Sequence, residues 1–538
     1  MRAKGSWLTP LLLLACVLAL TPFARAKDKE PDPAAAPAGS YRRPLGNDPR
    51  TLDPARISDI YGLSVTHQIF DGLVRFDHTL TISPALAQYW RSSRDGLTWT
   101  FTLRKGVKFH HGREVTADDV VFSLTRILDP KTQSGAADLF TSIKGAQDFV
   151  RGRARAVSGL SAPDRYTVQV VLNEALTPFV SVLAVGHAKI VPRDIVEQQA
   201  EAFGANPVGT GPFKFVRWEP GKEIVLAANT DSFDGAPRLA RLVYRIFPGE
   251  AIGQICQEFE QGNLEESSVP SMCRNKISDP RYQYVRRPTF SVRFYGLNTR
   301  VKPLSDVRVR QAIAHALDRE TMIQEIFLGQ HQPARGILPA GMPGYNPQLR
   351  TPGYDPTRAR ALLKEAGFPE GRGLPTIEIW SAARSERIEK EMLGVKRQLT
   401  AVGIPAEVQY ETNWPAFSQR LTEDRFSMFV YAWHADVPDP DNFLFKLFHS
   451  QSLRNLTRYA NPIVDDLLFQ ARRERDAVRR TEIYRRAEQI IVDEVPVVPV
   501  WHYTYERLFQ SYVRNVEVNG LGDAYLPLRK VWLEAPRR

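Results

Sequence analysis

Cysteine is scarce in this chain: three residues in 538, at positions 16, 256 and 273. That excludes a scaffold built on disulfides. No histidine stands close to Cys256 or Cys273 in the sequence, so a metal site there is not expected. HExxH and comparable ligand spacings are missing. The adjacent His110 and His111 project in different directions from an extended chain and read as loop residues, so neither metal nor cofactor is expected. A GxxxxGK(S/T) phosphate loop is also lacking, so any energy source must lie in another subunit. Gly159 and Ser161 do not make the G-x-S-x-G elbow of a hydrolase, and no rival nucleophile constellation stands out. Arginines are spread along the chain with no basic stripe interleaved with aromatics, which argues against nucleic acid as a partner. No segment supplies the roughly 20 apolar residues that span a bilayer. Beyond Tyr41 there is neither a low-complexity linker nor a repeat.

What the N-terminus does contain is an export leader. Arg2 and Lys4 precede the apolar core at residues 11–20, and Ala24-Arg25-Ala26 supplies a small-residue cleavage site. Leu13-Leu14-Ala15-Cys16 loosely resembles a lipid-attachment site. Against that alternative, Leu14 is a poor residue there, and 17–20 continue the apolar core past the cysteine. Cleavage after Ala26 removes Arg2, Lys4 and Arg25 and no acid, lowering the formal charge from +11 to +8. Residues 27–40 carry proline, alanine and charge without apolar periodicity, and read as a disordered tether. In an oxidising compartment Cys256 and Cys273 either pair or remain two buried thiols.

The remainder mixes two periodicities. Trp99, Phe101 and Leu103 alternate with polar neighbours, as do Tyr166, Val168, Val170 and Leu172, which predicts strands. Thr116 and Asp119 make a capping box before the helical stripe Val120, Val121, Leu124, Ile127, Leu128. Asp355-Pro356 opens a helix that Gly367 closes. One further helix is expected from Val309 to Gly329, and another from Ile463 to Val495. The fold class is α/β.

Residues 433–444 (WHADVPDPDNFL) hold acids in a segment stiffened by Pro438 and Pro440, which can neither continue a helix nor join a ladder. A carboxylate beside a tryptophan, at the end of a buried strand, suits capture of a cationic group. The stretch resembles the ADYPDP-type motif of solute-binding protein family 5, the receptors serving bacterial ABC importers of dipeptides and oligopeptides. Further motifs similar to that family follow in order: TLDP at 51–54, IFDGLV at 69–74, DGLTWTF at 95–101, LRKGVKFHHGREVTADDVVFSL at 103–124, NPVGTGPF at 206–213 and NTRVKPLSDVRVRQAIAHALD at 298–318.

The resemblance implies a non-enzymatic periplasmic receptor with a two-lobed binding-protein fold, an extra domain and a ligand cleft between the lobes. It places lobe I at 41–70, 206–290 and 503–538, the extra domain at 71–205 and lobe II at 291–502, with hinge crossings near Ser291 and His502. A monomer is expected, handing a short peptide to an inner-membrane permease and its ATPase subunits. An opine, sugar, metal chelate or haem is the alternative solute, and an exported hydrolase the remote one. Asp436 matches the family aspartate that accepts the ligand's α-ammonium, and Trp433 is expected to wall the cavity. Arg384 falls within a residue of the arginine that takes the peptide carboxylate in dipeptide-selective members, or else pairs with Glu386 or Glu389 on a helix surface. Asn298 is expected to offer its amide to a ligand backbone and Thr210 to face the pocket. Asp439 and Asp441 read as turn-forming residues.

Overall fold

Alternation builds the strands where the sequence predicts them. The computed structural model describes residues 38–249, 251–423 and 425–534. The leader, its cleavage site at Ala26, Cys16 and positions 27–37 of the expected tether lie outside these. Strand Thr98–Leu103 buries Phe101 and Leu103 and pairs antiparallel with Thr167–Val171, so that Phe101 faces Val168 and Trp99 faces Val170. With Ala87–Ser92 and Leu160–Asp164 these make a four-stranded antiparallel sheet. Helix Ala117–Leu128 buries Val120, Leu124 and Ile127 in the same core. Its start is fixed as expected: Asp119 Oδ2 accepts from the backbone N–H and the hydroxyl of Thr116, both at 3.0 Å.

A second four-stranded sheet runs Ser40–Leu45, Arg241–Ile246, Glu223–Ala228, Phe213–Glu219. Its first strand opens at Ser40, inside the stretch read as tether, because Ala38 already donates to the Arg238 carbonyl at 2.8 Å. Beside it, Thr504–Gln510 lies between Glu266–Ser268 and Tyr282–Pro288. Cys256 and Cys273 are disulfide-bonded, with Cα atoms 6.4 Å apart.

The largest sheet has six strands, ordered Gln332–Pro333, Val497–His502, Ser291–Leu297, Met428–His434, Ile377–Ser381, Ala406–Tyr410. Separate apolar clusters pack on its two faces. Gly296 is required at its centre: a Cβ there would come within 2.3 Å of the Phe429 ring, its cross-strand partner. The long helical stripes each break in two. Val307–Ala316 gives way to Arg319–Phe327, and Pro462–Arg473 to Ala477–Glu494.

Two strands pass directly between sheets. Tyr282–Pro288 continues through Thr289 and Phe290 into Ser291–Leu297, and Val497–His502 continues through Tyr503 into Thr504–Gln510. The crossings are bonded to each other. Thr289 N–H donates to the Tyr503 carbonyl at 2.9 Å, and the Tyr503 N–H donates to the Ser291 hydroxyl at 3.2 Å. Among the described residues, no helix is long and apolar enough to cross a membrane.

Candidate functional site

The proline-broken segment falls between strand Met428–His434 and helix Asp441–Phe448. Beneath it the acids read as turn-formers are held firmly. Both oxygens of buried Asp439 accept from Arg480, each at 2.8 Å. Asp441 pairs with Arg472 at 3.2 Å and accepts from the Tyr484 hydroxyl at 3.3 Å. The turn is therefore clamped onto helices Pro462–Arg473 and Ala477–Glu494.

Asn442, buried at the start of the helix, organises the groups above this clamp. Its Oδ1 accepts from the Asp436 backbone N–H at 3.1 Å and from the Trp433 indole at 3.3 Å, while its amide donates to Asp436 Oδ2 at 3.1 Å. Trp433 is half-buried, consistent with a wall rather than a core plug. The Asp436 carboxylate is not shut away from water: its side chain is 42% exposed. The reason is local: one amide covers Oδ2, and Lys446 stands 3.7 Å off, with its hydrogen bond given to Asp138 at 3.3 Å.

Some of the groups that sense Asp436 come from distant parts of the chain. Its negative charge reaches His187, His434 and Tyr525; burial nevertheless holds both imidazoles below their ordinary pKa, and pushes the Tyr525 phenol up. His187 bonds the Ile57 carbonyl at 3.1 Å, and the Tyr525 ring packs on His67 with centroids 4.4 Å apart. The charge of Asp436 is thus felt by groups from segments far away in the sequence.

The other expected residues are placed differently. Arg384 is exposed at the surface, with its guanidinium 2.6 Å from Glu389 and over the Tyr410 ring at 5.2 Å, which is the ion-pair alternative. Asn298 is buried in a turn: its amide donates to the Phe426 carbonyl at 3.4 Å and its Oδ1 accepts from Arg300 N–H at 3.1 Å. Thr210 is buried too, its hydroxyl donating to Asp71 Oδ2 at 3.2 Å. His110 serves its loop. Its Nδ1 accepts from Gly209 N–H at 3.3 Å and its Nε2 lies 3.0 Å from the Gly211 carbonyl, while burial lowers its pKa to about 4.

A family model described as bacterial extracellular solute-binding proteins, family 5 Middle, matches residues 81–455. The chain belongs to this family. It is 29% identical over 532 residues to di/tripeptide-binding protein 2 of Pseudomonas aeruginosa (strain UCBPP-PA14), covering 96% of each chain. Among solved structures, HbpA2 from Haemophilus parasuis matches with a TM-score of 0.80 at 26% identity, over 92% of this chain and 100% of that one. The periplasmic binding protein DppA from Helicobacter pylori, solved in complex with the peptide STSA, matches with a TM-score of 0.77 at 28% identity, over 92% and 98% of the two chains. The fold is the two-lobed periplasmic binding-protein fold.

Elsewhere, two segments far apart in the sequence also touch. Glu174 pairs with Arg473 at 3.1 Å, and Thr177 N–H donates to the Arg472 carbonyl at 2.9 Å. A carboxylate fixed by a side-chain amide is equipped to bind a cation. Asn442, His187 and Tyr525 escaped sequence reasoning. Asn442 alone carried a local cue, lying six positions from Asp436 in the same proline-broken string.

Proposed function

We propose that this chain is an extracytoplasmic receptor of an ABC importer that closes over a short peptide, with Asp436 receiving the peptide's α-ammonium group. The observation that carries the reading is the half-exposed carboxylate of Asp436, held in place by Asn442. A charge-assisted bond to an ammonium is roughly twice as strong as a neutral one, and lobe closure strengthens it by excluding water. The names of the relatives support a peptide as the solute.

In this reading lobe I comprises 41–70, 206–290 and 503–538, the extra domain 71–205 and lobe II 291–502. Closure turns on the paired crossings at Thr289 and Tyr503, where few residues absorb the motion. Trp433 walls the cavity. Asn298 and Thr210 act indirectly, by shaping the backbone at their turns. Arg384 is assigned no ligand contact, because Glu389 already engages it. The leader directs the chain to the periplasm, where a membrane permease with ATPase subunits takes the solute.

Isothermal titration with dipeptides through pentapeptides, free and N-acetylated, tests the reading. Free amines should bind at least tenfold more tightly, and Asp436→Asn should erase the difference. Equal affinity for blocked and free peptides would remove Asp436 from the site.

A further inference from the structure

A small cavity that includes Tyr525, a residue the charge of Asp436 reaches, holds charges that do not balance. It encloses about 60 Å³ and is lined in part by His67, Asp71, Arg75, Lys189, Tyr525 and Arg529. Lys189 is 6% exposed, and among the described residues its ammonium makes no hydrogen bond or ion pair. The acid whose charge reaches it, Asp71, is already engaged. Arg529 donates to one Asp71 oxygen at 2.9 Å, and the Thr210 hydroxyl to the other at 3.2 Å. Arg529 also bonds Asp234, which pairs with Arg75 at 2.8 Å. Arg75, Arg529 and Lys189 therefore meet only Asp71 and Asp234, and Lys189 is the surplus cation. Beside it, His67 Nε2 is buried without a hydrogen-bond partner among the described residues, in a ring that burial keeps neutral.

A ring nitrogen buried without a partner is costly in a finished core, and an ammonium beside it that meets the cavity without an ion pair leaves room for an anion. Burial lowers Lys189 only to about 8, so it stays mainly protonated at pH 7. The space equals about two waters at ~30 Å³ each, enough for a carboxylate group. Tyr525 joins the two regions: it lines the cavity, and the charge of Asp436 reaches it.

We propose that this cavity is an anion subsite, and that the receptor takes peptides whose carboxylate reaches Lys189 while their ammonium lies at Asp436. The proposal rests on the peptide reading above. The carboxylate belongs either to an acidic side chain or to the C-terminus, and the test separates the two.

Calorimetric titration of wild type and Lys189→Met with Ala-Glu, Ala-Gln and the C-terminal amide of each decides it. Methionine keeps the length of the stem and removes a buried charge, so the variant should fold at least as well. Wild type should favour one carboxylate over its amide by roughly tenfold to hundredfold, the span of a hydrogen bond to a charged group, and Lys189→Met should lose that preference. Loss of the preference on glutamine substitution assigns the side chain; loss on amidation assigns the terminus. A preference that survives in Lys189→Met, or none in wild type, overturns the subsite. If wild type binds no peptide, the peptide reading fails separately, and glutarate, which has no ammonium, then tests the cavity. Stabilisation of wild type but not Lys189→Met against heat sustains the subsite, and no difference between them rejects it.

Discussion

Glu488, on helix Ala477–Glu494, is 1% exposed and gives a stability prediction whose sign can be worked out. Its Oε1 accepts from the N–H groups of Ile337 and Leu338, each at 2.9 Å, while Oε2 has no hydrogen-bond partner among the described residues. Desolvation outweighs those two bonds and the nearby Arg485, raising the carboxyl from 4.5 to about 7. Between those values the folded chain holds a proton that the unfolded chain releases. Stability is therefore fully present below pH 4.5 and falls as pH rises, by about 1.4 kcal/mol per pH unit and about 3 kcal/mol in all by pH 7. Buried His110, His331 and His502, each lowered to about 4, act in the opposite sense, losing stability as pH falls below 6.5. Their effect cancels when wild type is compared with Glu488→Gln, which keeps the Oε1 acceptor and cannot ionise. Urea unfolding of both at pH 5, 6, 7 and 8 should show the variant gaining on wild type by about 2–3 kcal/mol between pH 5 and pH 7, then no further. A constant difference at all four pH values would refute the assignment.

Three other perturbations follow from the geometry. Asn442→Leu frees both Asp436 and the Trp433 indole, and should weaken calorimetric affinity for a free-amine peptide about tenfold or more, the loss of one hydrogen bond to a charged group. Glu391→Leu strands Arg293, which it binds at 2.8 and 2.9 Å, and should cost about 3–5 kcal/mol in urea unfolding; adding Arg293→Met should recover most of it. Asp138→Asn should release Lys446 toward Asp436 and weaken free-amine binding about threefold to tenfold, with Lys446→Met restoring it. An unchanged affinity in Asp138→Asn would show that Lys446 does not compete for Asp436.

Local rules recovered the elements whose signals are local. Asp355-Pro356 fixed a helix start because the Asp355 carboxylate caps Arg358 N–H at 2.9 Å, and strand Met428–His434 followed from its apolar run. Each long stripe read as one helix is two because an aspartate inside it acts as a cap. Asp318 accepts from Thr321 N–H at 3.1 Å and Asp476 from Arg479 N–H at 2.9 Å. Apolar periodicity continues across both breaks and hides them, whereas the cap residues were visible. The motif that marked Asp436 also contained its organiser, Asn442. Nothing local pointed to His187, Tyr525 or Lys189: only the tertiary fold brings their segments near Asp436 or into one cavity. Pairing of Cys256 with Cys273 was undecidable for the same reason, since it depends on how helix Ile252–Glu260 packs.

The division of Lys446 between two acids suggests why recognition and closure belong together. Lys446 lies one helical turn beyond Asn442, whereas Asp138 comes from the distant turn Ala137–Phe140, inside the segment proposed above as the extra domain. In the arrangement described, Asp138 takes the hydrogen bond and leaves Asp436 with a contact of 3.7 Å, too long for one. Separation of the lobes would carry Asp138 away and leave Asp436 as the neighbouring acid for Lys446, so that a ligand ammonium would compete with a tethered cation. Under the proposed reading, closure would reverse the competition: each step that brings Asp138 nearer would make Asp436 a better acceptor for the ligand. Under the proposed reading, the same movement would bring Asp436 and Lys189 to one water-poor space. There a solute bearing both charges satisfies two desolvated groups, and a solute bearing one leaves the other unpaired. Selectivity then follows from what closure leaves unsatisfied as much as from what it joins.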